Sequence, residues 1–234
     1  LDKYLAEMGV GTRQEVKKQI RQGKAAVNGT VVKAADTKID ETSDEVAICG
    51  RNISYVSYEY YMLNKPAGVV SATEDRRDTT VIDLIKEKKR KDLFPVGRLD
   101  KDTEGLLLIT NDGDLAHRLL APKKHVDKVY YAKVTGIVTE EDVERFAQGI
   151  DIGTDEEEMT RPAQLDILKS GEESEIRLTI HEGKFHQVKR MFQAVKKEVT
   201  YLKRERMGTL CLDEDLKPGE YRLLTEEEIE NVRK

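Results

Sequence analysis

The chain has little of what a disulfide framework, a membrane span or a metal site requires. Among 234 residues there are two cysteines, four histidines and no tryptophan. Cys49 and Cys211 have neither a zinc-ligand spacing nor a disulfide pattern, and the histidines share no metal-ligand spacing. No apolar run approaches the roughly 18–20 residues that span a bilayer, and no secretion leader is visible. We therefore expect a cytoplasmic protein with no metal site and no contact with a membrane.

Nucleotide-driven chemistry is also not indicated, because the chain has no GxxxxGK[ST] phosphate loop. Its composition, 38% hydrophobic and 36% charged, is typical of a globular protein with a strongly charged surface. The length allows one small and one medium domain, each with its own core.

The net charge of −5 is unfavourable for binding nucleic acid, but the charges are unevenly distributed along the chain. Residues 11–33 contain six cations and a single acid, and residues 86–91 contain five cations and one acid. Acidic residues cluster elsewhere, at 140–142 and 226–228. Such segregation permits a positive RNA-facing surface on an acidic protein. A solvated helix face is the alternative explanation for any single run.

Residues 1–57 have the pattern of a separate module. Thr12 and Glu15 form a capping box, which predicts a helix that runs to about Gln22 and stops at Gly23. A hairpin with an Asn-Gly turn follows at 26–32, and a further strand is expected at 45–49. The helix and its end present cations suited to RNA phosphates; these are Arg13, Lys17, Lys18, Arg21 and Lys24.

Residues 58–234 predict one α+β domain with a mixed, mostly antiparallel sheet, because strands follow one another without regular alternation with helices. The predicted strands are 58–63, 106–110, 128–135, 164–168, 174–180 and 199–204. The predicted helices are 80–89, 114–120, 140–149, 185–195 and 226–232.

The most informative stretch is GRLDKDTEGLLLITNDG at residues 97–113. It places Asp100 in a turn directly before an apolar run that predicts a buried strand. Arg98 lies two residues away, so Asp100 is a candidate nucleophile beside a cation. The alternative is a turn aspartate that bonds only to its own backbone.

Several separated motifs resemble those of the RsuA family of ribosomal RNA pseudouridine synthases. GRLD followed by DTEGL resembles the active-site signature of that family. The other motifs are YMLNKPAGV at 61–69, HEGKFHQVKRMF at 181–192, RERMG at 204–208 and the segment 216–225. Together they extend over nearly all of the second domain. The first 57 residues resemble the small RNA-binding domain of the ribosomal protein S4 type that precedes the catalytic domain in this family.

The resemblance implies an isomerase that detaches uracil from ribose, turns the base and rejoins it through C5, without a cofactor. The base has to be flipped out of the RNA. Asp100 would be the essential carboxylate, attacking C1′ or C6 or removing a ribose proton. Lys189 would keep Asp100 charged, although relatives often have Arg there. Tyr130 would stack on the uracil and exchange a proton with it, with Tyr131 as the alternative tyrosine.

The same resemblance implies four substrate-binding residues. Arg98 would contact a phosphate beside the flipped nucleotide and Leu178 would form an apolar wall; Lys65 and Arg190 complete the set. Small-subunit ribosomal RNA, or an assembly intermediate that contains it, would be the partner of a monomeric enzyme. Three alternatives remain: a large-subunit enzyme of the same family, a non-catalytic RNA-binding assembly factor, and a glycosidase-like hydrolase. The last lacks an obvious second acid at the motif.

Overall fold

The computed structural model describes residues 1–121, 125–153, 156 and 158–234. It divides into two compact units. The first contains residues 1–59 and 86–93, and the second contains residues 60–85 and 94–234. The segment 86–93 therefore packs with the N-terminal unit, although the sequence places it inside the second domain. The division into domains 1–57 and 58–234 stays a prediction.

The first unit contains two short helices and a four-stranded antiparallel sheet. The helices are α1 (Asp2–Glu7) and α2 (Arg13–Arg21), and the strands are β1 (Ala25–Val27), β2 (Thr30–Val32), β3 (Val46–Ile48) and β4 (Arg51–Ile53). The strand order is β2-β1-β3-β4. Asn28 and Gly29 form the turn between β1 and β2, both with positive φ, as a tight hairpin turn requires.

Capping and an apolar face explain why α2 forms. Thr12 accepts a hydrogen bond from the backbone N–H of Glu15, and the Glu15 side chain accepts one from Thr12 in return. Val16 and Ile20 are fully buried on the inner face of the helix. They pack against Leu5 of α1 and Ala25 of β1, so the cations of α2 remain on the outer face.

Among its described residues, the second unit is built on a nine-stranded sheet. Its strands are β5 (Tyr60–Lys65), β6 (Phe94–Pro95), β7 (Glu104–Thr110), β8 (Lys128–Thr135), β9 (Gln164–Lys169), β10 (Glu173–Ile180), β11 (Glu198–Met207), β12 (Leu210–Cys211) and β13 (Tyr221–Leu223). Its helices are α3 (Val81–Leu84), α4 (Gly113–Leu120), α5 (Glu140–Gln148), α6 (Gln187–Ala194) and α7 (Glu226–Arg233).

The main path of the sheet runs β13-β5-β7-β11-β8-β10-β9, with β12 paired to β11 and β6 to β7. All of these pairings are antiparallel except the parallel contact of β7 with β11. The mixed, mostly antiparallel sheet confirms the predicted α+β class. Strand β7 is buried along nearly its whole length, as its apolar run predicts.

The helix predicted at 80–89 was wrong in its extent. Thr80 and Asp83 form the expected capping box, but α3 ends after one turn. Ile85 has extended backbone angles, and the residues that follow turn away to pack with the first unit. Local helix propensity is therefore overridden by the tertiary contacts of the lysine-rich segment.

In the part of the chain that the structure describes, none of the helices has the length and hydrophobicity needed to cross a membrane.

Candidate active site

Asp100 lies in the loop between β6 and β7, and several hydrogen bonds hold this loop in place. The hydroxyl of Ser71 donates to the carbonyl of Leu99 over 2.9 Å and accepts from the Leu99 N–H over 3.1 Å. The backbone N–H of Thr103 donates to the Asp100 carbonyl, which closes a tight turn. The carboxylate of Asp100 is 24% exposed. A rigid loop thus presents a partly accessible carboxylate.

Lys65 supports this loop from beneath. It is fully buried at the end of β5. Its ammonium donates to the carbonyls of Pro66, Lys101 and Thr103 over 3.0, 3.2 and 2.8 Å. Burial lowers its pKa to about 8. Lys65 is therefore a positioning residue of the loop and has no surface with which to touch a substrate in this conformation.

The ammonium of Lys189, on α6, lies between two carboxylates. It is 3.3 Å from Asp100 Oδ2, and it donates to both oxygens of Asp102 over 2.6 and 2.9 Å. The structure thus brings Lys189 and Asp100 together, as expected, and adds Asp102 as the nearer partner. Asp102 lies in the same sequence motif as Asp100, but nothing in its spacing distinguished it.

The charges of this trio stabilise one another. Burial alone would lower the pKa of Lys189, but the hydrogen bond to Asp102 and the charge of Asp100 raise it above its ordinary value. The hydrogen bond from Lys189 lowers the pKa of Asp102. The lysine therefore stays protonated near neutral pH and places a positive charge beside the carboxylate of Asp100.

His186 and Phe185 complete the surroundings of Asp100. Nε2 of His186 is 3.6 Å from Asp100 Oδ1, and His186 has the left-handed backbone angles φ 48° and ψ 33°. Such angles are unfavourable for a residue other than glycine and are concentrated at functional sites. The Phe185 ring stacks on His186 with a centroid distance of 3.8 Å and is 75% exposed. Sequence reasoning assigned neither residue to the active site.

The two candidate tyrosines lie on opposite faces of β8, since neighbouring side chains of a strand alternate. Tyr130 is buried and lines the pocket that contains Asp100. The hydroxyl of Tyr131 donates to Glu175 over 2.7 Å, and this bond raises the pKa of Tyr131 to about 12. Only Tyr130 therefore shares a pocket with Asp100.

That pocket has a volume of about 70 Å³. Its walls come from the Asp100 loop, β8, the end of β10, β11, the segment that leads into α6 and the start of α6. The residues that line it are Arg98, Leu99, Asp100, Thr103, Tyr130, Ile180, Gly183, Lys184, His186, Gln187, Val188, Lys189 and Leu202. A carboxylate, an imidazole, an ammonium, a guanidinium and a phenol converge on one small cleft. This set can attack an electrophilic carbon, exchange protons and hold an anion.

Arg98 is the predicted substrate-binding residue that the structure places on the pocket wall, with an exposed side chain. Leu178 is fully buried and pairs with Tyr130 between β8 and β10, but it does not line the pocket. The guanidinium of Arg190 donates to the carbonyl of Ile152 and to the carboxylate of Glu158. Arg190 therefore fastens α6 to a neighbouring loop and does not line the pocket.

A larger hollow, of about 650 Å³, lies on the opposite face of the same strands and is lined by Val129, Arg177 and Lys203, among others. Some of its charged groups neutralise one another, as in the 3.0 Å pair of Arg177 with Glu205. We assign no chemistry to it.

Over residues 1–121, 125–153, 156 and 158–234, no group of three or more His, Cys, Asp or Glu side chains could hold a metal ion.

The predicted RNA-binding residues lie on or just after α2. Arg13 donates to Asp2 over 2.8 Å, and Lys17 lies 3.5 Å from the same carboxylate. Lys18, Arg21 and Lys24 are exposed. The charges of Arg13 and Lys17 are thus partly neutralised by Asp2.

Comparison with known proteins agrees with this geometry. Residues 59–194 match the model of the RNA pseudouridylate synthase family, and residues 1–46 match that of the S4 domain. The chain belongs to the RNA pseudouridylate synthase family and is an RNA pseudouridine synthase with an N-terminal S4 domain.

Within that family, the chain is similar to several proteins over nearly its whole length. An uncharacterized RNA pseudouridine synthase of Bacillus subtilis, YtzG, is 48% identical over 98% of this chain and 96% of its own. Ribosomal small subunit pseudouridine synthase A of Vibrio cholerae is 44% identical over 100% of this chain and 99% of its own. The protein of the same name from Escherichia coli is 41% identical over 99% of each chain. A crystal structure of a pseudouridylate synthase covers 99% of this chain and 98% of its own, with 39% identity and a TM-score of 0.70. The resemblance to the RsuA family is thereby confirmed.

Proposed function

We propose that this enzyme isomerises one specific uridine of small-subunit ribosomal RNA to pseudouridine, with Asp100 as the carboxylate that acts on a flipped-out nucleotide. The observation that supports this role is the contact of Asp100 with Lys189 at 3.3 Å inside a small pocket. A carboxylate that lies beside an ammonium in a partly buried site is a suitable nucleophile.

The reaction balances without an added reagent. The bond between C1′ and N1 breaks, a bond between C1′ and C5 forms, the C5 hydrogen leaves as a proton and N1 gains one. The phenol of Tyr130 and the imidazole of His186 are among the protein groups in the pocket that can exchange such protons. Arg98, on the pocket wall, is placed to hold a phosphate of the flipped nucleotide.

Phe185 supports recognition of unstacked RNA, since its ring is largely exposed beside the pocket. An exposed aromatic ring offers a base of an opened strand a surface for stacking. The small-subunit assignment is supported by the relatives at 41–44% identity, which are named ribosomal small subunit pseudouridine synthases. We further propose that the protein acts as a cytoplasmic monomer.

The test is release of tritium from 5-tritiated uridine in small-subunit and large-subunit ribosomal RNA, each naked and within a ribosomal assembly intermediate. Wild type should release tritium from the small-subunit substrate alone. Asp100→Asn should lose turnover, with RNA affinity within about threefold of wild type. Asp215→Asn, an exposed aspartate distant in sequence from the motif, is the matched control and should be fully active.

Three outcomes would contradict the proposal. Release from the large-subunit substrate alone would reassign the enzyme to that subunit. Substantial residual turnover of Asp100→Asn would remove the role of its carboxylate. Tight binding of both RNAs by wild type, with no release from any substrate, would indicate a non-catalytic assembly factor.

A further inference from the structure

A cationic hollow lies in the first unit, apart from α2. It has a volume of about 490 Å³. The residues that line it are Met8, Gly9, Asn52, Ile53, Ser54, Lys86, Lys88, Lys89, Arg90 and Lys91. Five of these are cations and none is acidic. In a chain with a net charge of −5, a concave surface of one sign is notable because its field adds within the concavity.

The lysine-rich segment has a fixed backbone. The carboxylate of Glu59 accepts hydrogen bonds from the backbone N–H groups of Lys89, over 3.0 Å, and Arg90, over 2.7 Å. This carboxylate is buried and oriented by both bonds. The segment that bears the lysines is therefore held in one position relative to the rest of the first unit.

Arg90 adds a second anchor. Its guanidinium is buried, and it donates to Asp92 and to the carbonyl of Val56. It also lies over the ring of Tyr55, 5.7 Å from the centroid, and 3.5 Å from Glu7. Lys86, Lys89 and Lys91 are exposed around the hollow. The structure thus separates one anchoring cation from the lysines that face solvent.

The residues that line the hollow come from both family matches and from the segment between them. Met8 and Gly9 lie within the S4 match, residues 52–54 lie between the matches, and the lysines lie within the synthase match. Gly9 approaches the segment closely, since a Cβ there would lie 3.5 Å from Lys91 Cε. Helix α3 ends at Leu84, and the lysines that follow pack with the first unit.

We infer that this hollow is a second RNA-binding site, which takes backbone phosphates of the substrate RNA. Like charges gathered in one concavity repel one another, and a polyanion relieves that repulsion while releasing its own counterions. No aromatic side chain lines the hollow, so phosphates rather than stacked bases are its ligands. This inference rests on the proposed function, in that the polyanion is the RNA substrate.

The test is the salt dependence of binding to full-length transcripts of small-subunit and large-subunit ribosomal RNA. In the triple variant Lys86→Gln, Lys89→Gln, Lys91→Gln, the slope of log affinity against log salt should become less steep by about 2 to 3, since each lost phosphate contact removes about 0.7–0.9. The loss of affinity should be largest at the lowest salt and should shrink by about 100- to 1000-fold for each tenfold rise in salt, as a slope difference of that size requires. Both transcripts should respond, because phosphate contacts do not depend on sequence.

The matched control is the triple variant Lys169→Gln, Lys196→Gln, Lys217→Gln, which removes the same charge from exposed positions of the second unit. Its slope should equal that of wild type. The triple Lys→Arg variant at 86, 89 and 91 should restore the wild-type slope, which separates loss of charge from misfolding. A slope unchanged by the Gln variant, or reduced equally by the control, would overturn the inference, as would failure of wild type to bind either transcript.

Tritium release by wild type tests the proposed function separately from RNA binding. An enzyme that binds RNA with the predicted slopes but releases no tritium would refute the proposed function and leave the phosphate site standing. An active enzyme whose slope does not change in the Gln variant would refute the phosphate site alone.

Discussion

At the scale of single residues, the electrostatic environment of Asp100 depends on the position of the Lys189 ammonium between Asp100 and Asp102. The ammonium is closer to Asp102 than to Asp100, and the Asp102 carboxylate is 72% exposed. Asp102 therefore holds Lys189 in place, while Asp100 receives the remaining electrostatic stabilisation. A charge-assisted hydrogen bond of this kind contributes about 1.5–3 kcal/mol in favourable cases, and solvent exposure reduces that value here.

Asp102→Asn should accordingly slow the reaction roughly tenfold, which corresponds to about 1.4 kcal/mol, because Lys189 loses the carboxylate that orients it. Steady-state tritium release gives kcat and KM, and the loss should appear in kcat. Asp78→Asn, which breaks the neighbouring surface pair with Lys101, should stay within about twofold of wild type. Equal rates for Asp102→Asn and wild type would show that Lys189 needs no second partner.

The two adjacent tyrosines provide a second comparison. Tyr130→Phe should reduce kcat about 100-fold, the lower range for loss of a proton-transfer group, with little change in RNA affinity. Tyr131→Phe should leave kcat near wild type and reduce stability by about 1 kcal/mol, because it removes the hydrogen bond to Glu175. The measurements are steady-state tritium release, which gives kcat, and thermal unfolding. Equal kinetic effects of both variants would exclude a specific role for Tyr130.

At the scale of elements, the parallel contact of β7 with β11 determines where the Asp100 loop ends. Gly105 pairs with Arg204 across this contact and has a φ of +100°. A Cβ at this position would overlap the backbone of Arg204. Glycine is therefore required here both for its backbone angle and for the close approach of the two strands.

Gly105→Ala should destabilise the protein by about 3–4 kcal/mol, as backbone strain and overpacking add. Gly219→Ala is the matched control, because Gly219 has a φ of +93° but open space around its Cα. It should cost only about 1–2 kcal/mol. Denaturant unfolding of both variants measures the difference. Similar losses would show that β7 and β11 can separate without cost, and would contradict the close-approach argument.

At the scale of the whole molecule, charge pairing couples the stability of the first unit to pH. Asp2 is buried and accepts hydrogen bonds from Arg13 and from the backbone N–H of Lys3. The bond from Arg13 is the main reason that the pKa of Asp2 falls to about 2. Because the folded-state pKa lies below the unfolded value of about 3.9, ionised Asp2 stabilises the fold above that value. This contribution is lost as pH falls from about 4 to about 2.

Hydrogen exchange of the α2 amides should therefore be measured between pH 5 and pH 2.5. In wild type, the protection factors, which already correct for the intrinsic exchange rate at each pH, should fall as the pH is lowered. Asp2→Asn should lower protection at pH 5 and flatten this dependence. Asp36→Asn, at an exposed position of the same unit, is the control and should behave as wild type. A wild-type dependence retained in Asp2→Asn would assign the acid sensitivity to other carboxylates.

The whole molecule also resolves the conflict between its acidic charge and its RNA substrate. Two separate cationic concavities occur in the first unit. One is the groove of about 340 Å³ on α2, between Lys17, Lys18 and Arg21; the other is the hollow formed by residues 86–91. The overall negative charge is therefore compatible with a positive RNA-facing surface.

The sequence by itself determined most of the elements and the motif that contains Asp100. Caps, turns and alternation depend on neighbours a few residues apart, so β8 was predicted at its observed bounds of 128–135 and α2 within one residue. The short strands β4, β6, β12 and β13 were missed. Two or three residues are too few to show a period, and these strands lack the Asn-Gly turn that marked β1 and β2.

Only the tertiary structure decided what the charged residues do. Lys189 and Asp102 are 87 residues apart, and Lys65 and Thr103 are 38 apart. No local pattern predicts that Lys65 is buried under a loop or that Arg190 bonds to a neighbouring loop. Nor does a local pattern predict that α3 ends at Leu84 and that residues 86–93 pack with the first unit. The physical reason is that a charged side chain takes whichever partner packing brings within about 3–4 Å, and packing depends on the whole chain.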